Sequence, residues 1–130
     1  LIVASLNRTN EIQLKKFIIM NALKNKVQLI GNLGNNPEII QLESGRKLAK
    51  FSMATNEVYK NSQGEKVTDT QWHNIVAWGK TAEIVENYLT QGKEVILEGK
   101  LTSRSYETQT GEKRYVTEVV AQEVMILTKS

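Results

Sequence analysis

Residues 70–92 read TQWHNIVAWGKTAEIVENYLTQG, and the change of rhythm within them decides the fold. From Thr70 to Trp78 the spacing is that of a strand, with Trp72 and Trp78 on one face. From Thr81 to Leu89 it turns helical, because Ala82, Val85, Tyr88 and Leu89 fall at i, i+3, i+6 and i+7. Gly92 follows where a left-handed helix cap is wanted, a conformation in which glycine alone escapes a Cβ penalty. This is the one convincing helix in the body of the chain.

On either side the apolar residues recur mostly with period two. Val27 to Leu33 reads as a first strand, with Gly31 and Gly34 permitting a bulge or bend and Pro37 closing it off. Ile39 to Leu42 and Leu48 to Asn56 flank the turn Glu43-Ser44-Gly45-Arg46 as a hairpin, with Ala49, Phe51 and Met53 on one face. A polar loop, Lys60 to Lys66, leads into the strand already quoted. After the helix come Glu94 to Ser103, a hairpin of Arg104 to Thr108 with Lys113 to Ala121, and a last piece from Val124 to Leu127. Three strands, one helix and two strands, without repeat or linker, predict an all-β domain with one helix, the five-stranded OB-fold barrel.

Composition narrows the chemistry. With 130 residues, 40% of them hydrophobic and 24% charged, the chain has the balance of one globular domain. It has no cysteine, which excludes a disulfide scaffold, a cysteine zinc site and a thiol nucleophile, and His73 is its single histidine. No metal and no cofactor are expected. The net charge is +3, but Arg8, Lys15 and Lys16 against Glu11 place most of it in the first twenty residues. Any basic surface on the body must therefore come from patterning.

No stretch reaches the roughly 18 apolar residues of a membrane span, and Leu1 to Leu6 is too short for a signal-peptide core, so a cytoplasmic protein is expected. Met20 is the natural start. Residues 1–19 are read as an N-terminal extension of upstream or appended sequence, and 20–130 as the OB-fold domain. The alternatives for the extension are a weak transit peptide or a short helix with Ile12, Phe17 and Ile18 as its apolar side. Asn7-Arg8-Thr9 fits a glycosylation sequon, a match too short to count.

A hydrolase would need His73 as its base, but no Gly-x-Ser-x-Gly or Ser/Asp pattern accompanies it. Gly64-Glu65-Lys66 lacks the remainder of a phosphate loop. The aromatics carry more information. Lys60 adjoins Tyr59, Lys80 follows Trp78, and Arg104 precedes Tyr106. Exposed rings beside cations suit unpaired nucleic acid, because bases stack on the rings while the cations meet phosphates. Against this stands the reading of Trp72 and Trp78 as core, which pattern alone favours for large aromatics at strand spacing.

Four stretches carry a resemblance: Asn25 to Glu38, Thr70 to Lys80, Val95 to Leu101 and Arg114 to Val120. Together, in order from about 24 to 127, they resemble the bacterial-type single-stranded DNA-binding protein family. The resemblance implies a homotetramer of OB domains that wraps single-stranded DNA without sequence preference or catalysis, in replication, recombination and repair. It implies base stacking at Tyr59, Trp72, Trp78 and Tyr106 and moves both tryptophans from core to site. Lys26, Lys80 and Arg104 match basic positions near DNA, joined by Lys60, and His73 matches a position at the subunit interface. Mitochondrial members make that compartment a second localisation.

The sequence departs from the family pattern at Tyr59 and Tyr106, where tryptophan is common, and at Asn74 and Thr102, where some members have arginine. It stops at Lys129-Ser130 without the acidic tail that in much of the family recruits replication and repair proteins; either this member lacks the tail or the chain is shortened. Competing readings are an OB-fold primosome-type accessory or RNA-binding protein, and a protein-interaction scaffold with its aromatics buried in subunit contacts.

Overall fold

The computed structural model describes residues 8–127, so Asn7 of the sequon and the terminal Lys129-Ser130 lie outside the described residues. The elements are α1 (Arg8–Leu23), β1 (Val27–Leu33), β2 (Glu38–Gln41), β3 (Lys47–Lys60), β4 (Lys66–Trp78), α2 (Gly79–Tyr88), β5 (Glu94–Glu107) and β6 (Lys113–Ile126). The sheet runs β1-β5-β6-β4-β3-β2, and a further pairing of β1 with β3 closes the first five into a barrel. Closure rests on two residue pairs, Asn32↔Ala54 and Leu33↔Met53. All pairings are antiparallel except β4 with β6, which run parallel over Ile75↔Val119 to Ala77↔Ala121. The short strand β2 lies on the outer edge of β3.

The core follows the alternation. Ala49, Phe51 and Met53 of β3 meet Ile75 and Ala77 of β4 inside the barrel, with Val95, Leu97 and Val119 completing it. Helix α2 closes one end by burying Ala82 and Val85, and Leu89 just beyond its end is buried as well. Tyr88, expected on the same stripe, is 58% exposed instead. Six residues at about 100° each carry it roughly 120° away from Ala82 around the helix. Gly92 does adopt a positive φ of 89°, but in the turn into β5 and not as a helix cap, and its N–H donates to the Leu33 carbonyl.

Three expectations need correction. The chain has a second helix, α1, whose large apolar side chains Ile12, Phe17 and Ile18 are all exposed. Of the alternatives for the extension this is the short helix, but Ile12, Phe17 and Ile18 form no buried side, because α1 carries no apolar stripe and has no substantial packing on the barrel strands. The pieces read as separate strands at 94–108 and at 113–127 are single long strands, with one irregularity between Glu98 and Gly99. The β3–β4 ladder continues without a break to Lys60↔Lys66, so the polar loop shrinks to a tight turn. Backbone pairing, not core burial, holds those outer segments, and their side chains need no apolar alternation.

Two glycines permit the close crossings. A Cβ on Gly31 would run into the carbonyl of Ala54 at the closure, and one on Gly99 into the carbonyl of Val120. Gly31→Ala and Gly99→Ala are each expected to lower stability by about 1–3 kcal/mol through forced backbone shifts. Thermal melts decide this, and wild-type melting temperatures in both variants would contradict the closure described.

Candidate nucleic-acid interface

The residues that face inward on β4 dictate which ones face outward. With Ile75 and Ala77 in the core, alternation turns Trp72, Asn74, Val76 and Trp78 to the outside. Their partners on β3 share that side: Ala54↔Trp72, Ser52↔Asn74, Lys50↔Val76 and Leu48↔Trp78. On β5 the same rule turns Thr102, Arg104 and Tyr106 outward, opposite Glu118, Val116 and Arg114 of β6. Between these strands lies a groove of two adjoining cavities, about 370 and 250 Å³, that share Lys50, Val76, Arg104 and Glu118 along their walls.

Neither tryptophan is core. Trp72 is 64% exposed, and its ring lies so close over Gly34 and Ser52 that a Cβ on Gly34 would strike it. The seat is fixed from below: Gly34 N–H donates to the Ser52 carbonyl at 2.9 Å, and Asn35 Oδ1 accepts from Ser52 N–H and Oγ at 2.8 and 2.9 Å. Trp78 is half-buried where β4 passes into α2, and the Arg46 guanidinium lies over its ring, 4.3 Å from the centroid. The Trp72 ring thus lies against Gly34, and the Trp78 ring carries Arg46 over it.

The other expected residues divide. Tyr106 is exposed on the outward face of the β5–β6 hairpin, beyond the barrel and in line with Arg104. Tyr59 is also exposed, but the unbroken register pairs it with Val67 and puts it on the face of the β3–β4 hairpin opposite to Trp72. Lys60 shares Trp72's face and stands directly across from Lys66. Lys80 is exposed in the first turn of α2. Lys26 lines neither cavity and pairs with Glu98 at 3.3 Å.

Arg104 sits in the groove, yet its Nε donates to Glu118 Oε1 at 2.8 Å, and that hydrogen bond raises the guanidinium pKa above its ordinary value. The pair leaves little net charge at the centre of the groove. His73 is the cross-strand partner of Met53 and its ring shares a 2.9 Å hydrogen bond with Thr55 Oγ1. It borders a separate cavity of about 520 Å³ between β1 and the β3–β4 hairpin, with Gln28, Ile30 and Gln71.

Three residues escaped the sequence reading. Arg46 and Lys50 become visible only once the β3–β4 register is known, because nothing in linear spacing connects them to Trp78 and Val76. Tyr115, the most exposed aromatic at 73%, has Lys113 Nζ 5.8 Å from its ring centroid. A lysine two residues before a tyrosine was the available signal.

Comparison with known proteins agrees with this geometry. A family profile described as the Single-strand binding protein family matches residues 24–127. The protein named Single-stranded DNA-binding protein 1 of Chlorobaculum tepidum is 46% identical over 104 residues, 79% of this chain and 64% of that protein. Its namesake in Xylella fastidiosa is 42% identical over 106 residues, 81% of this chain and 78% of that protein. The chain therefore spans somewhat less than two thirds of the Chlorobaculum protein's length. Among solved structures, a Plasmodium falciparum SSB complex with ssDNA superposes with a TM-score of 0.74 at 32% identity, covering 80% of this chain and 95% of that one. A deletion mutant of the single-stranded DNA binding protein from Thermus aquaticus gives a TM-score of 0.70 at 26% identity, covering 80% and 50%.

Exposed seating of Trp72 has a direct thermodynamic consequence. Trp72→Ala is expected to cost no more than about 1 kcal/mol of folding stability, as surface changes do. Phe51→Ala, in the core beneath the same strand pair, should cost about 3–5 kcal/mol. Denaturant unfolding of both variants measures the contrast, and equal losses would return Trp72 to the core.

Proposed function

The chain belongs to the single-strand binding protein family, and on that premise we propose that it binds single-stranded DNA through the groove between Trp72 and Trp78, without sequence preference and without catalysis. The observation that carries this reading is the pair of indoles turned outward along one strand, Trp72 against Gly34 and Trp78 beneath Arg46. A base has a π-face whatever its identity, so stacking on a braced ring is sequence-tolerant. Duplex DNA hides those faces. Replication, recombination and repair are the processes such binding serves, and the cytoplasm is its proposed compartment.

The groove favours stacking over charge. With Arg104 held by Glu118 and Lys26 by Glu98, two of the basic residues expected at DNA are already paired. Tyr106 extends the stacking surface on the outward side, and Tyr59 serves strand that passes around the β3–β4 hairpin.

A homotetramer is part of the proposal. Strand β1 pairs with β5 from Val27 to Asn32 but meets β3 only at Asn32 and Leu33, so the other edge of its first half is open. Ile30 and Met125 are exposed nearby, and His73 borders the cavity at that open edge. Open strand edges and exposed apolar side chains support self-association. Light scattering at micromolar concentration should give four times the chain mass; a monomer would remove the interface role of His73.

Titration of tryptophan fluorescence with poly(dT), poly(U) and a duplex at two salt concentrations tests the binding reading. Strong quenching by poly(dT), weakened by salt, and almost none by duplex is expected. Tighter binding of poly(U) would favour an RNA-binding accessory protein, because the 2′-hydroxyl distinguishes the two. Equal quenching by duplex would sink the stacking mechanism.

A further inference from the structure

Two cations at or beside the groove have a place that no sequence motif marks: Lys50 in its wall and Arg46 over the Trp78 ring. Lys50 stands on the outward face of β3 opposite Val76 and walls both cavities. Among the described residues it makes no ion pair, whereas Arg104, its neighbour in both cavities, is held by Glu118 at 2.8 Å. Glu38 is its cross-strand partner on β2, yet the two side chains do not meet as an ion pair. Glu38 lines the larger cavity with Lys50, and an exposed carboxylate not paired with the ammonium contributes little in water. Lys50 is thus the cation of the groove's interior left available to a phosphate.

Its position along the strand fits that task. Val76 lies two residues from Trp78 and four from Trp72. At about 3.3 Å per residue this places Lys50 roughly 7 Å along the strand from one ring and roughly 13 Å from the other. A phosphate linking bases stacked on the two indoles passes through this interval. The ammonium is a compact charge on a flexible stem, able to follow a backbone that is not held in one register.

Arg46 does something different. Its guanidinium lies over the Trp78 ring at 4.3 Å but lines neither cavity, whereas Trp78 walls the smaller one of about 250 Å³. The indole thus carries a cation over its ring and also lines the wall of a cavity. A cation over a tryptophan face is attracted by the ring quadrupole, and this restrains the ring before any base arrives.

We propose that Lys50 is the phosphate-binding residue of this groove and that Arg46 is the positioning residue that holds the Trp78 indole for the base beside it. The proposal rests on the single-strand-binding reading given above. Arg46 acts through Trp78 and Lys50 acts on the strand, so substitutions at the two should separate in salt dependence.

The experiment measures binding of oligo(dT) against salt for the full chain and for Lys50→Gln, Lys50→Arg and Arg46→Gln. Lys50→Gln should lower the salt slope by about 0.7, the value of one phosphate contact on a single strand, and Lys50→Arg should restore it. Arg46→Gln should leave the slope unchanged. In a Trp72→Phe background it should also speed the anisotropy decay of Trp78 in the free protein and reduce its quenching at saturation. If the unaltered protein does not bind oligo(dT) at any salt, the function reading itself fails. If it binds and Lys50→Gln keeps the full slope, the role of Lys50 is overturned. A lost contact in Arg46→Gln would make Arg46 a phosphate ligand and remove its positioning role.

Discussion

Everything at the groove depends on the closure of β1 against β3. Only Asn32↔Ala54 and Leu33↔Met53 join the two strands, and Gly31 lets the backbones approach closely enough to make them. The same crossing fixes where the chain goes next. Gly34 donates to the Ser52 carbonyl and Asn35 accepts from Ser52, so the segment leaving β1 becomes the floor beneath Trp72. Opening the closure would remove the barrel wall and the seat of Trp72 together. Core packing and ring placement are in this sense one constraint, transmitted through a few backbone hydrogen bonds.

Charge pairing then sets the character of the surface. Lys26 with Glu98, Lys47 with Glu86 and Arg104 with Glu118 each tie a cation to a carboxylate, and the Lys47 pair also bridges the start of β3 to helix α2. The hydrogen bond that Lys47 donates to Glu86 raises the Lys47 pKa, as the one to Glu118 does for Arg104. These pairs are exposed on at least one side and add little to stability. Their effect is to orient side chains and to thin out free positive charge, where a more basic surface would hold any polyanion, duplex included.

Much of this was legible in the sequence wherever side-chain alternation and burial coincide. The core face of β3, the strand–helix switch at Trp78 and the common face of Trp72 and Trp78 all follow from spacing. Legibility fails where that coupling ends. The outer halves of the two long hairpins are held by backbone pairing between polar side chains, so the reading stopped at Asn56 although the ladder continues to Lys60. Helix α1 has no buried face and hence no period to detect. Lys50 belongs to the groove through register and Arg46 meets Trp78 through the fold, neither of which linear spacing encodes, and Tyr59 reads as a neighbour of Trp72 until parity turns it to the other face.

That opposition of Tyr59 and Trp72 follows from the two-sidedness of a hairpin that extends beyond its barrel. Inside the barrel one face of β3–β4 is spent on the core, and only the outward face is available. Past Thr55 and Gln71 the core ends and both faces reach solvent, so aromatics of either parity are exposed. The β5–β6 hairpin repeats the arrangement, with Tyr106 on the outward face and Tyr115 on the other. Rings on both faces of both hairpins cannot serve one straight path. On the single-strand-binding reading proposed above they suit a strand that leaves the groove and turns around a hairpin edge, with the length of the two ladders setting how far from the barrel it could do so.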